Sequence, residues 1–164
     1  MSTLRLRHSV RAILLDEDER VLLCRFAITD PVETFVWTTP GGGVEPGETP
    51  LAALRRELRE EVGLALETDP PHVWHQRIVS AEHTAGYDGV INDCFFVPTP
   101  SFQPRGTMSA DQLAAEGISD FRWWPLRDIA AYRGPELFSP RDFAARLTTL
   151  LTDGLPAEPI PLGL

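Results

Sequence analysis

The segment from Gly42 to Leu64, GGVEPGETPLAALRRELREEVGL, constrains this chain more than any other. Pro40-Gly41-Gly42-Gly43 leads into it. Glycine lets a backbone come close to a ligand, and three glycines beside a proline predict an irregular loop. Thr49-Pro50 then opens a helix, with Thr49 as N-cap and Pro50 in the first helical position. Gly63 ends it. At about 3.6 residues per turn, Leu51, Leu54, Leu58 and Val62 fall within about 80° of one another. Such a stripe must face a core. Glu57, Glu60 and Glu61 cluster beside the stripe rather than opposite it.

Carboxylates at these spacings repel one another, and more strongly where the dielectric falls at the edge of a core. Arg55, Arg56 and Arg59 relieve part of the repulsion. A hard divalent cation relieves it better, and oxygen-only donors suit Mg²⁺, with Mn²⁺ as a substitute. The other account is a solvated helix face laced with Glu–Arg pairs. The helix by itself leaves both open.

Around this unit the pattern alternates. Val10 to Leu15 and Arg20 to Phe26 read as strands joined by the acidic turn Asp16 to Glu19, four solvated charges. Thr34 to Thr39 reads as a strand entering the glycine loop. Val73 to Ala81 and Val90 to Val97 follow as two more. Residues 98–117 read as loop with a helical turn near Asp111, then Asp120 to Trp124 as a strand and Leu126 to Tyr132 as a short helix. A last amphipathic helix starts at Ser139-Pro140 and buries Phe143, Leu147, Leu150 and Leu151. Strands on both sides of a central helix, with further helices late, predict an α/β fold with a mixed sheet between helices. We read residues 1–151 as one domain and 152–164 as an irregular, proline-containing tail.

The net charge of −9 over 164 residues disfavours nucleic acid and membrane surfaces as partners. There is no lysine and all fifteen fixed cationic side chains are arginines, so Schiff-base chemistry is excluded and phosphate must be held by Arg, backbone N–H groups or metal. Cys24 and Cys94 lie in apolar runs and read as buried thiols of a reducing compartment. No signal-peptide core or membrane span is legible, which predicts a cytoplasmic protein. His72, His75 and His83 have a spacing that fits no closed zinc site.

The glycine–helix segment resembles the Nudix box of the MutT-like hydrolases. Gly42, Glu48, Arg56, Glu57, Leu58, Glu60, Glu61, Gly63 and Leu64 occupy its specified positions without departure. Trp123-Trp124-Pro125-Leu126 is similar to the family's C-terminal pattern. The resemblance implies an α/β/α sandwich and Mg²⁺-dependent attack of water on a diphosphate phosphorus in a small nucleoside diphosphate derivative. It implies Glu57, Glu60 and Glu61 as metal ligands, with the backbone carbonyl of Gly41. Glu48 and Arg56 match a pair that braces the loop. The general base is Glu60 by one family precedent. By another it is a carboxylate from the loop before the last strand, here Glu116, with Asp111 and Asp120 behind it. Arg25, Trp37, Gly42 and Gly43 are the candidate substrate contacts, against an ion pair for Arg25 and core packing for Trp37. Signatures for ADP-ribose or diadenosine polyphosphates are missing downstream. A homodimer is compatible with the sequence. The competing function is a Nudix-fold nucleotide sensor that binds without cutting; an isomerase using Cys24 or Cys94 is disfavoured by their apolar settings.

Overall fold

The computed structural model describes residues 3–28, 32–79 and 86–163. β1 (Leu6–Leu15) pairs along its whole length with the parallel strand β6 (Gly89–Pro98). Its other edge is shared. β2 (Arg20–Ile28) meets β1 only at Leu15 and Val21 and then diverges, pairing with β3 (Thr34–Thr38) and β7 (Ile118–Pro125). Into the opening comes β4 (Gly41–Gly43), antiparallel to Ser9–Arg11 of β1. β5 (His72–Val79) lies beyond β6, and the short strands β8 (Leu137–Phe138) and β9 (Ile160–Leu162) extend the sheet at its two ends.

Alternation along the strands divides the interior into two cores, one on each sheet face. Val10, Ala12, Leu14, Phe95 and Val97 pack against α1 (Pro50–Glu61) through Ala53, Leu54, Leu58 and Val62. Ile13, Leu15, Trp74 and Cys94 face α3 (Leu126–Ala131) and α4 (Phe143–Asp153) through Ile129, Phe143, Leu147 and Leu150. The mixed sheet between helices is thus the expected architecture. α2 (Ala110–Ala115) lies outside both cores, closed by a capping box between Ser109 and Gln112.

Three expectations fail locally. The glycine run is a strand rather than an irregular loop, because glycine's missing Cβ lets β4 lie against β1 where a Cβ on Gly41 would overlap the Val10 carbonyl. The turn Asp16 to Glu19 is not all solvated: Asp16 is buried, accepts the N–H groups of Asp18 and Arg20, and pairs with the Arg20 guanidinium at 2.7 Å. The tail carries β9, whose parallel pairing with β5 places Leu162 in the core. His83, with Ser80 and Ala81 of the expected strand Val73 to Ala81, lies outside the described residues.

Candidate active site

α1 begins where the sequence places it. Thr49 Oγ1 accepts from Ala52 N–H, Pro50 opens the first turn, and Gly63 follows the helix with φ 78°. Its apolar stripe docks on β1, and that docking carries Glu57 and Glu61 inward rather than to the rim. Glu57 is 8% and Glu61 2% exposed. Both meet the glycine strand. The Gly41 N–H donates to Glu61 Oε2 at 3.4 Å, and a Cβ on Gly42 would overlap the Glu57 carboxyl.

Arg56 ties this arrangement together. Its Nε and Nη2 each donate to one oxygen of Glu48 at 2.9 Å, a bidentate pair. Nη2 also reaches the Gly43 carbonyl, and Nη1 the Glu57 carboxylate, both at 2.9 Å. The Arg56 guanidinium, with help from the Glu45 N–H, holds Glu48 down at a pKa of about 2. A single side chain thereby fixes loop, brace and inner carboxylate.

Glu61 has a different electrostatic position. Burial pushes its carboxyl up to about 8; Arg11 pulls it down, and Glu57 and Glu116 push it further up. Arg11 Nη1 donates to the Thr39 carbonyl at 2.9 Å. Arg11 is not among the site residues expected from the sequence, yet an arginine inside the apolar run Val10 to Leu15 is itself the signal of a buried counter-charge.

Glu60 is half-buried, 3.5 Å from Arg56 Nη1. Glu116 is exposed at the C-cap of α2, near enough for its charge to bear on Glu61. Arg25 is engaged elsewhere. It pairs with Glu136 and lies 3.4 Å above the Phe35 ring. Trp37 is 4% exposed, donates from Nε1 to Glu136 at 2.8 Å and packs edge-on against Trp124. Its ring is therefore part of the core, the alternative to substrate contact given above. Glu136, which organises both residues, gave no signal in the sequence beyond its proximity to Gly134. Cys24 and Cys94 are buried free thiols, and burial pushes Cys94 up to about 12 and Cys24 beyond it, so neither is a ready nucleophile.

The NUDIX domain profile matches residues 5–147. The chain belongs to the Nudix family of pyrophosphohydrolases. It is 32% identical over 123 residues to nucleoside triphosphatase NudI of Escherichia fergusonii, a match spanning 73% of this chain and 82% of that protein. An RNA pyrophosphohydrolase of Halorhodospira halophila is 53% identical over 58 residues, 35% of this chain but only 29% of that protein. The MutT protein of Methanosarcina mazei shares the fold at a TM-score of 0.63 with 21% identity, over 90% of this chain and 96% of the other.

Nudix hydrolases generally use divalent metal ions, and the residues here fit one. Two carboxylates lie buried against a backbone cradle that a Cβ would fill, and burial, with Glu57 alongside, pushes the Glu61 carboxyl well above the usual carboxylate range. A hard dication is the counter-charge that oxygen-only donors of this kind accept. Glu57, Glu61 and the more open Glu60 are the side chains of the Nudix box able to hold it. Among the described residues, no helix is long and apolar enough to cross a membrane.

Proposed function

We propose that this Nudix protein performs Mg²⁺-dependent hydrolysis of a diphosphate linkage in a small nucleoside diphosphate derivative. The observation that carries the reading is the burial of Glu57 and Glu61 against the Gly41–Gly42 backbone. Two buried carboxylates whose charges bear on each other are costly unless they hold a cation. When bound, the cation neutralises phosphate charge and acidifies the attacking water.

The chain's own residues do the rest. Arg56 and Glu48 keep the glycine strand seated on the helix, so that Gly42 and Gly43 offer backbone to the diphosphate. Glu60 or Glu116 takes the proton of the water whose oxygen bonds to phosphorus. The phosphorus–oxygen bond to the leaving phosphate breaks, and the electron pair departs with that phosphate. Arg11 balances Glu61 from behind the cradle. Arg25 joins the substrate phosphates only by leaving Glu136. The relatives' names, a nucleoside triphosphatase and an RNA pyrophosphohydrolase, support a substrate that carries a nucleotide.

The test is product release from nucleoside triphosphates, nucleotide sugars, ADP-ribose, dinucleotides and 5′-triphosphate RNA, with Mg²⁺ and with chelator. Metal-dependent cleavage of a small nucleotide derivative is expected. Tight nucleotide binding without cleavage of any member would favour the sensor instead.

A further inference from the structure

The sheet carries a second convergence of ligating side chains, centred on β5 and β6 and flanked by β1. Asp93 stands on β6, between β1 and β5. His75 faces it directly across the β5–β6 ladder. His72 lies three residues earlier and would point to the opposite face of a regular strand. The ladder, however, shifts register between His72 and Trp74, so that His72 opposes Phe95 while His75 opposes Asp93. The extra residue, Val73, thus turns both imidazoles to the side of Phe95 and Asp93. His8 arrives from β1 on the other flank.

The contacts are short. His75 Nδ1 is 2.6 Å and His72 Nε2 2.9 Å from Asp93 Oδ1, and His8 Nε2 is 2.6 Å from Oδ2. A carboxylate only accepts, so His75 Nδ1 and His8 Nε2 donate to Asp93. His72 Nε2 is also 3.1 Å from the Trp74 carbonyl, and its ring stacks on Phe95 with centroids 4.9 Å apart. The Asp93 side chain is 12% exposed, whereas His8, His72 and His75 are 34, 33 and 41% exposed. An ion can therefore enter from solvent, while the carboxylate is held in place.

We propose that His72, His75 and Asp93 form a binding site for a transition-metal dication of the zinc type, with His8 holding the second carboxylate oxygen. One ligand atom from each of the three lies within 4.8 Å of the others. Tetrahedral zinc with metal–nitrogen bonds of about 2.0–2.1 Å sets donors roughly 3.3 Å apart. The 2.6 and 2.9 Å spacings to Asp93 need to widen by only about 0.7 and 0.4 Å, within the reach of imidazole rotation. Binding releases the donated protons of His72 and His75 to solvent and breaks the Trp74 contact. His8, donating to Oδ2, orients the carboxylate as an outer partner orients a metal ligand. Imidazole donors select zinc, nickel or copper over magnesium, so the two sites differ in the ions they take.

The test is calorimetric titration of the full chain with Zn²⁺ in a large excess of Mg²⁺, which keeps the oxygen-only site filled. His72→Gln and His75→Asn place an amide N–H where each ring N–H stands, so the bonds to the Trp74 carbonyl and to Asp93 survive while the metal ligand is lost. One equivalent of Zn²⁺ is expected to bind the wild type. Each variant should bind at least about tenfold more weakly, since loss of even an outer partner costs that much. Glu57→Gln should bind Zn²⁺ as the wild type does. Zinc binding that survives both histidine variants, or that disappears in Glu57→Gln, would overturn the proposal, as would no binding at all. Histidine ring NMR of the wild type needs no variant: one equivalent of Zn²⁺ must shift the His72 and His75 resonances, and unmoved resonances refute the site.

Discussion

Gly42 and Glu57 share one space: the carboxyl of Glu57 fills the volume that a Cβ on Gly42 would take. The contact is with the far end of a flexible side chain, so an alanine at 42 displaces Glu57 at little cost to the fold. Misplacement of a reacting constellation by about an ångström costs on the order of 10²-fold in rate. Gly42→Ala is therefore expected to lower kcat by about that factor with a nearly unchanged melting temperature, read by steady-state turnover and thermal melts. A variant that unfolds early would instead make Gly42 a packing residue.

Arg56→Ala should fail differently. It removes hydrogen bonds to Glu48, Glu57 and the Gly43 carbonyl together. Bonds to charged partners contribute about 1.5–3 kcal/mol each at best and are not additive here, so a loss of roughly 2–3 kcal/mol is expected. The melting temperature should fall along with activity. Glu48→Gln keeps one acceptor for Arg56 and should fall less on both measures. Loss of activity with no change in stability would move Arg56 from brace to substrate contact.

Glu61 sets a pH dependence in the metal-free protein. Its folded pKa, raised chiefly by burial to about 8, exceeds the ordinary value of 4.5. The folded state thus holds a proton that the unfolded state releases. Stability is full below about pH 4.5 and is lost as pH rises through about 8. Melts in chelator should show this decline, and Mg²⁺ should reverse it most at the alkaline end. Glu61→Gln, neutral at every pH, should remove the part of the decline due to this group. An unchanged pH slope in that variant would show that Glu61 is not the buried acid responsible.

The helix and its carboxylates were legible because both rest on local periodicity. Leu51, Leu54, Leu58 and Val62 face the core as the wheel requires, and the stripe drags Glu57 and Glu61 with it. What escaped was set by partners distant in sequence. β4 is a strand only because β1 leaves an edge open beside β2. For Trp37 the sequence leaves core packing and substrate contact both open, and Trp124 and Glu136 decide for the core. His72 and His75 share a face only through the register shift at Val73, which regular alternation does not anticipate.

Glu60 and Glu116 divide the proton-transfer role between two mechanisms. If Glu116 is the base, Glu116→Gln should lower kcat by on the order of 10²–10⁴-fold with a smaller change in KM. If Glu60 is, the same loss appears in Glu60→Gln and Glu116→Gln is nearly silent. Both variants assayed on one substrate across pH decide it, since the variant lacking the base also loses one limb of the profile.

Glu61, buried against the Gly41 N–H, is central to the proposed metal-dependent hydrolysis. Its most direct measurement is kcat of Glu61→Gln on a nucleoside diphosphate derivative cleaved by the wild type, at saturating Mg²⁺, with folding checked by circular dichroism. The substitution keeps size and removes charge, so turnover should fall by on the order of 10²-fold or more while the fold stays intact. A folded Glu61→Gln protein with near wild-type turnover would contradict it.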